Sequence, residues 1–119
     1  MELTFTGRGL SVDDELRELA THKLARLERI EPRATRIDLK FIIEHHPTLD
    51  GVKRVEAAMK VPRKSFFAHA EAKDLASALD HVVDRLERQL RDHHGKRHTR
   101  LRRGLESAHL RSGTADTSE

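Results

Sequence analysis

Apolar residues along this 119-residue chain follow two rhythms, period two and period 3.6, which succeed one another in blocks. Leu3 and Phe5 alternate with Thr4 and Thr6, so the spacing predicts a first strand over residues 2–7, punctuated by Gly7 and Gly9. The next block is helical: Val12, Leu16, Leu19, Ala20, Leu24, Leu27 and Ile30 share one stripe. Ser11 is placed to cap this helix, Asp13, Asp14 and Glu15 put anions in its first turn, and Pro32 stops it. Three period-two blocks follow. Ile37, Leu39, Phe41 and Ile43 alternate before the turn-like HHPTLDG, and Val55, Ala57, Met59 and Val61 before a turn at Pro62. Phe66, Ala68, Ala70 and Ala72 form the third, with small side chains that leave room for helices above. The last block is helical again, with Leu75, Leu79, Val82, Val83, Leu86 and Leu90 on one stripe. Asp74 caps it, and Gly95 is its predicted stop.

The order β-α-β-β-β-α predicts an α+β fold, a four-stranded mixed sheet with two helices packed on one face. A right-handed crossover makes the first two strands parallel if they are neighbours, and the rest a meander. Such a layer resembles the double-stranded-RNA-binding fold. Beyond Gly95 the periodicity fails. We therefore expect one domain over residues 1–95, with 96–119 a basic, then polar tail that is unstructured without a partner.

Composition narrows the function classes. Apolar and charged residues each make up 36% of the chain, which points to a heavily solvated protein. No apolar run approaches the roughly 20 residues of a membrane span. The N-terminus lacks the basic start and apolar stretch of a signal peptide, and cysteine is absent, so the cytoplasm is the expected compartment. Net charge is only +3 but unevenly spread. Residues 32–73 hold nine bases against five acids, and 95–119 hold six against three, whereas both helical blocks lean acidic. That clustering, with a pI near 9.6, favours a phosphate-rich partner.

The candidate chemistry lies on the helices. Arg85, Arg88 and Arg91 stand at three-residue steps, each turning back about 60°, and form an oblique ridge with Arg88 opposite Leu79 and Leu86. Such a ridge can track a phosphate backbone. The plainer account is that Asp84, Glu87 and Asp92 interleave with it and that cations near a helix C-terminus complement the dipole. Lys23, Arg26 and Arg29 repeat the design on the first helix. Lys23 falls within the apolar stripe, either as a snorkelling stem at the domain edge or as a cation held where the helices meet, facing a ligand.

Other chemistries find little support. Nine histidines invite a metal reading, but no zinc-type spacing is present, and surface histidines account for them better. There is no cysteine nucleophile, serine elbow or P-loop, and the carboxylates sit among bases at solvated positions, so catalysis is not expected. Phe5, Phe41 and Phe66 belong to the core, leaving Phe67 as the one candidate exposed platform. A reader of single strands stacks bases on several aromatics, so recognition of a structured RNA by shape and phosphate fits better.

With KLARLERI in the first helix and AKDLASALDHVVDRLERQLRDHHGKR around the second, the chain resembles the ribosome hibernation promoting factors, also called ribosome-associated inhibitor or sigma-54 modulation proteins. The likeness spans residues 1–97 and is carried by Arg8, Leu10, Val12, Lys23 to Arg29, Asp74, Ala78, Asp80 and Arg85 to Leu90. It implies a non-catalytic bacterial factor of stress or stationary phase that lodges in the decoding channel of the small ribosomal subunit, where mRNA and tRNAs would lie. It also implies contacts to ribosomal RNA from Lys23, Arg26, Arg29, Arg85 and Arg88. Ala76 stands where the family commonly has Tyr, which weakens either packing or a stacking contact, and Asp92 where a further Lys is common, a loss for which Arg91 and Lys96 can compensate. Nothing here resembles the C-terminal domain with which long members pair ribosomes, so a short form is implied. The expected partner is the small subunit and its RNA, with no membrane, small-molecule substrate, cofactor or metal, and the free protein is expected to be monomeric. A regulatory RNA- or protein-binding module acting away from the ribosome is the alternative.

Overall fold

The computed structural model describes the backbone of residues 1–44 and 52–110, and side chains as far as Gly95. The elements are β1 (Glu2–Arg8), α1 (Asp14–Ile30), β2 (Arg36–Glu44), β3 (Val52–Val61), β4 (Lys64–Ala72) and α2 (Leu75–Leu110). The HHPTLDG turn lies outside the described residues. The sheet runs β1-β2-β3-β4, with β1 parallel to β2 and the other pairs antiparallel. This is the expected mixed sheet with its meander.

Period-two alternation sorts each strand's side chains between two faces. Ile37, Leu39 and Phe41, with Val55, Ala57 and Met59 and with Phe66, Ala68 and Ala70, point into one core beneath the helices. Ala20, Leu24 and Leu27 of α1 and Leu79, Leu86 and Leu90 of α2 close that core from above. Truncating a fully buried leucine such as Leu24 to alanine would cost about 2–5 kcal/mol. The alanines of β4 let α2 approach the sheet closely, as their small size predicts.

Two local expectations are corrected. Asp13, rather than Ser11, caps α1: its side chain accepts the Leu16 N–H at 2.8 Å, leaving Asp14 and Glu15 in the first turn. Asp74 caps α2 as expected, accepting the Ser77 N–H at 2.7 Å, and this bond holds its carboxyl below the usual range. The second correction concerns Gly95. The α2 backbone passes through it and stays helical to Leu110. A helix-interior glycine costs only about 1 kcal/mol relative to alanine. The Lys, Arg, Leu, Glu and Ala that follow are good helix formers, so the chain carries on.

At the other end of the sheet, β3 turns into β4 through Pro62 and Arg63, between the paired residues Val61 and Lys64. Arg63 has φ 69°, a left-handed conformation usually given to glycine. The turn holds it and leaves its side chain exposed.

Candidate nucleic-acid interface

The two predicted cation rows sit on neighbouring helices, and the structure divides their members by what they touch. Lys23 is only 27% exposed and lies in the α1–α2 seam, its ammonium 2.5 Å from Asp80. Arg26, one turn on, reaches Asp84 at 2.8 Å and Glu87 at 2.7 Å. Glu87 also takes Arg91 from its own helix at 2.9 Å. Lys23 is thus held at the junction of both helices, as one reading of its place in the stripe proposed, but its partner is a carboxylate of this chain. These pairs form a ladder of alternating charge that ties α1 to α2. Partly exposed pairs contribute about 0–1 kcal/mol each, so the ladder fixes register more than it stabilises the fold.

Arg85 lies on the opposite flank of α2 and donates to the main-chain carbonyl of His69. Gln89, a turn later, donates to the carbonyl of Phe67 at 2.8 Å. β4 is an edge strand, and these two side chains occupy acceptors that another strand would otherwise pair with. Arg29 and Arg88 are exposed, and among the described residues neither makes an ion pair or hydrogen bond. Arg88 borders a shallow hollow of about 480 Å³ with Arg26, Arg91, Asp84, Glu87 and Asp92. The side chain of Lys96 lies outside the described residues. The helix face therefore offers Arg29 and Arg88 freely, Arg91 in part, and keeps Lys23, Arg26 and Arg85 engaged.

Sequence reasoning missed two features. Glu31 was grouped with solvated carboxylates, yet it is 2% exposed at the end of α1. Burial alone would raise its pKa. Hydrogen bonds from His94 at 2.8 Å and from the Arg33 side chain and N–H outweigh this and hold its carboxyl at about 2. His94 is thus a tie between α1 and α2, and His93 packs edge-on against Phe66, so this pair departs from the expected surface scatter. The usable signal was Glu31 itself, a residue between the last apolar position of a helix and Pro32, where the chain must turn back across the core.

The other missed feature is the β3–β4 hairpin. Lys60, Arg63 and Lys64 are all exposed at its tip, and among the described residues none forms an ion pair with a carboxylate. The excess of bases over residues 32–73 was the signal, and the hairpin gathers part of it in one place. Among the described residues no three His, Asp or Glu side chains converge as a metal requires. No described helix is long and apolar enough to cross a membrane.

A strand, a helix, three meander strands and a final helix, with cation rows meeting along a two-helix seam, form a specific pattern. The profile of the family described as sigma 54 modulation protein / S30EA ribosomal protein matches residues 3–98. The chain belongs to this family. Among S30EA relatives, the ribosome hibernation promoting factor of Pseudomonas putida KT2440 is 30% identical over 101 residues, covering 85% of this chain and 94% of that protein. The hibernation promoting factor of Azotobacter vinelandii is 32% identical over 96 residues, covering 81% of this chain and 85% of its own. A ribosomal subunit interface protein from Coxiella burnetii superposes with a TM-score of 0.71 at 29% identity, over 80% of this chain and 99% of that one. The N-terminal domain of Thermus thermophilus Protein Y gives 0.62 at 30% identity, over 76% and 96%. The shared S30EA unit is thus the whole β-α-β-β-β-α layer, including both cation rows.

Proposed function

We propose that this chain is a ribosome hibernation factor that binds the small ribosomal subunit in the mRNA and tRNA decoding channel and silences translation by occupancy. The observation that carries the reading is the family match over residues 3–98, which takes in the exposed cations of both helices. Arg29 and Arg88 supply the first phosphate contacts, with Arg91 and Lys96 extending the row along α2. Lys23, Arg26 and Arg85 hold the helix pair and the β4 edge in the shape that presents them, and contact RNA with the donors they have left. Exposed arginines suit this role because the planar guanidinium meets phosphate through two parallel hydrogen bonds. Residues 1–95 act as the binding unit, and the helical extension after Gly95 adds positive charge. The protein works in the bacterial cytoplasm under stress or in stationary phase, as a monomer until it meets the ribosome, and carries out no reaction.

The family description also names sigma-factor modulation, which favours a second reading as a regulatory module bound to another protein or RNA. Sedimentation of the purified protein with ribosomes and separated subunits through a sucrose gradient separates the two. Co-migration with the small subunit, with inhibition of cell-free translation at matching concentrations, supports hibernation. A protein that stays at the top of the gradient at low salt rules it out.

A further inference from the structure

We propose that the β3–β4 hairpin is a second RNA contact, in which one unpaired base stacks on Phe67 while Lys60, Arg63 and Lys64 meet the flanking phosphates. This rests on the RNA-binding reading above but concerns a different surface, the sheet edge away from the α1–α2 seam. Phe67 is 67% exposed, the one large hydrophobic side chain left in solvent among the described residues. Its cross-strand partner is Ala58, too small to cover the ring, and Lys60 pairs with Ser65 two residues along the same face. Lys60 shares the face of Phe67, whereas Lys64 follows Phe66 to the helix side, its ammonium 5.4 Å from that ring, with Arg63 at the turn between them. A bare ring at a hairpin with cations on both faces has the composition of a nucleic-acid platform, since every base has a face to stack and phosphates to neutralise.

The surroundings narrow the occupant. A β-strand from a protein partner would add at the edge of β4, but Gln89 and Arg85 already occupy the carbonyls of Phe67 and His69. An apolar partner would need more than one ring, and the neighbours here are charged or small. A cleft of about 400 Å³ beside the ring, lined by Lys64, Gln89, Asp92 and His93 among others, leaves space for the rest of a nucleotide. Gln89 and Arg85 belong to the same helix as Arg88, so RNA tracking the helix cations passes beside this edge. A single platform does not read sequence. It fixes one flipped or looped base of a structured RNA, consistent with a chain that has four phenylalanines and neither tryptophan nor tyrosine.

That composition also supplies the test, because Phe67→Trp introduces the sole tryptophan of the full chain. Binding of the wild type, Phe67→Ala and Phe67→Trp to purified small ribosomal subunits is measured by sedimentation, with the emission of Phe67→Trp read against wild-type complexes. The inference expects Phe67→Ala to weaken binding at least about fivefold, with unchanged salt dependence and an unchanged melting temperature. Phe67→Trp should keep the affinity, and its emission should be quenched by the stacked base. Equal binding by Phe67→Ala with unquenched emission overturns the inference while leaving the function intact. Weakened binding with brighter, blue-shifted emission overturns base stacking in favour of a ribosomal protein surface. A wild type that does not bind the subunit overturns the function and this inference together.

Discussion

Arg85 and Arg88 look alike in the sequence, three residues apart on one ridge, yet their environments assign them different work. Arg88 meets no described partner, so Arg88→Ala should change stability by less than about 0.5 kcal/mol. Its loss should still weaken subunit binding roughly tenfold, the weight of one charge-assisted hydrogen bond. Arg85→Ala instead bares the His69 carbonyl on an edge strand, so a loss of about 1 kcal/mol in urea unfolding is expected with a smaller effect on binding. Equal effects on both measurements would mean the ridge acts as one unit. Glu31 shows what spacing alone cannot display: its burial and its bond to His94 arise between residues 63 positions apart. Its carboxyl titrates near the ordinary 4.5 in the unfolded chain and about 2 in the folded one. The stabilisation, about 3 kcal/mol for a shift of that size, is therefore fully present above pH 4.5 and disappears as the pH falls toward 2. Glu31→Gln should be less stable than the wild type at neutral pH, and urea unfolding across this range should show the gap closing in acid.

At the scale of elements, the strands were legible because one face of the sheet is buried and the other, Ile42 apart, is not. Leu39 and Phe41, Ala57 and Met59, and Ala68 and Ala70 all took the face that alternation assigns them. Helix ends were harder. Ser11 and Asp13 are both good caps, and the choice depends on which side chain reaches a free N–H once the loop after Gly9 is folded. At Gly9, φ is +81° and an added Cβ would run into the Ile43 carbonyl, so β2 fixes how the chain enters α1. The site was half legible: the cations were visible, but which of them would be taken by carboxylates depended on how α1 and α2 align. Gly95 was misread because a glycine stops a helix only where the next residues favour leaving it. Since a methyl group there meets nothing within 4 Å, Gly95→Ala should fit without strain. It should strengthen the end of α2 by about 1 kcal/mol, seen as slower amide exchange after residue 95. Unchanged exchange in 96–110 would mean that glycine is not what limits this segment.

The described residues span 63 × 31 × 18 Å, a slab drawn out along one axis, and 36 residues of α2 account for about 54 Å of helix. The cations proposed as RNA contacts lie on the α1–α2 face, on the hairpin at one end of the sheet, and in the sequence of the extended helix. A body of this shape suits a channel walled by RNA better than a single groove, because it can meet phosphates on several sides. If about five of these cations release counterions, affinity for the small subunit should fall roughly 500-fold between about 50 and 200 mM salt. Salt-insensitive binding would discount phosphate as the main partner. The proposed occupancy of such a channel also sets the kind of inhibition to expect. On the proposed reading, bound protein and bound mRNA with initiator tRNA are competing states of one ribosome. Excess mRNA, initiator tRNA and initiation factors should therefore release the protein, and the freed ribosomes should regain full activity in a cell-free system. Lasting inactivity after the protein is washed away, or cleaved ribosomal RNA, would show that it does more than fill the space.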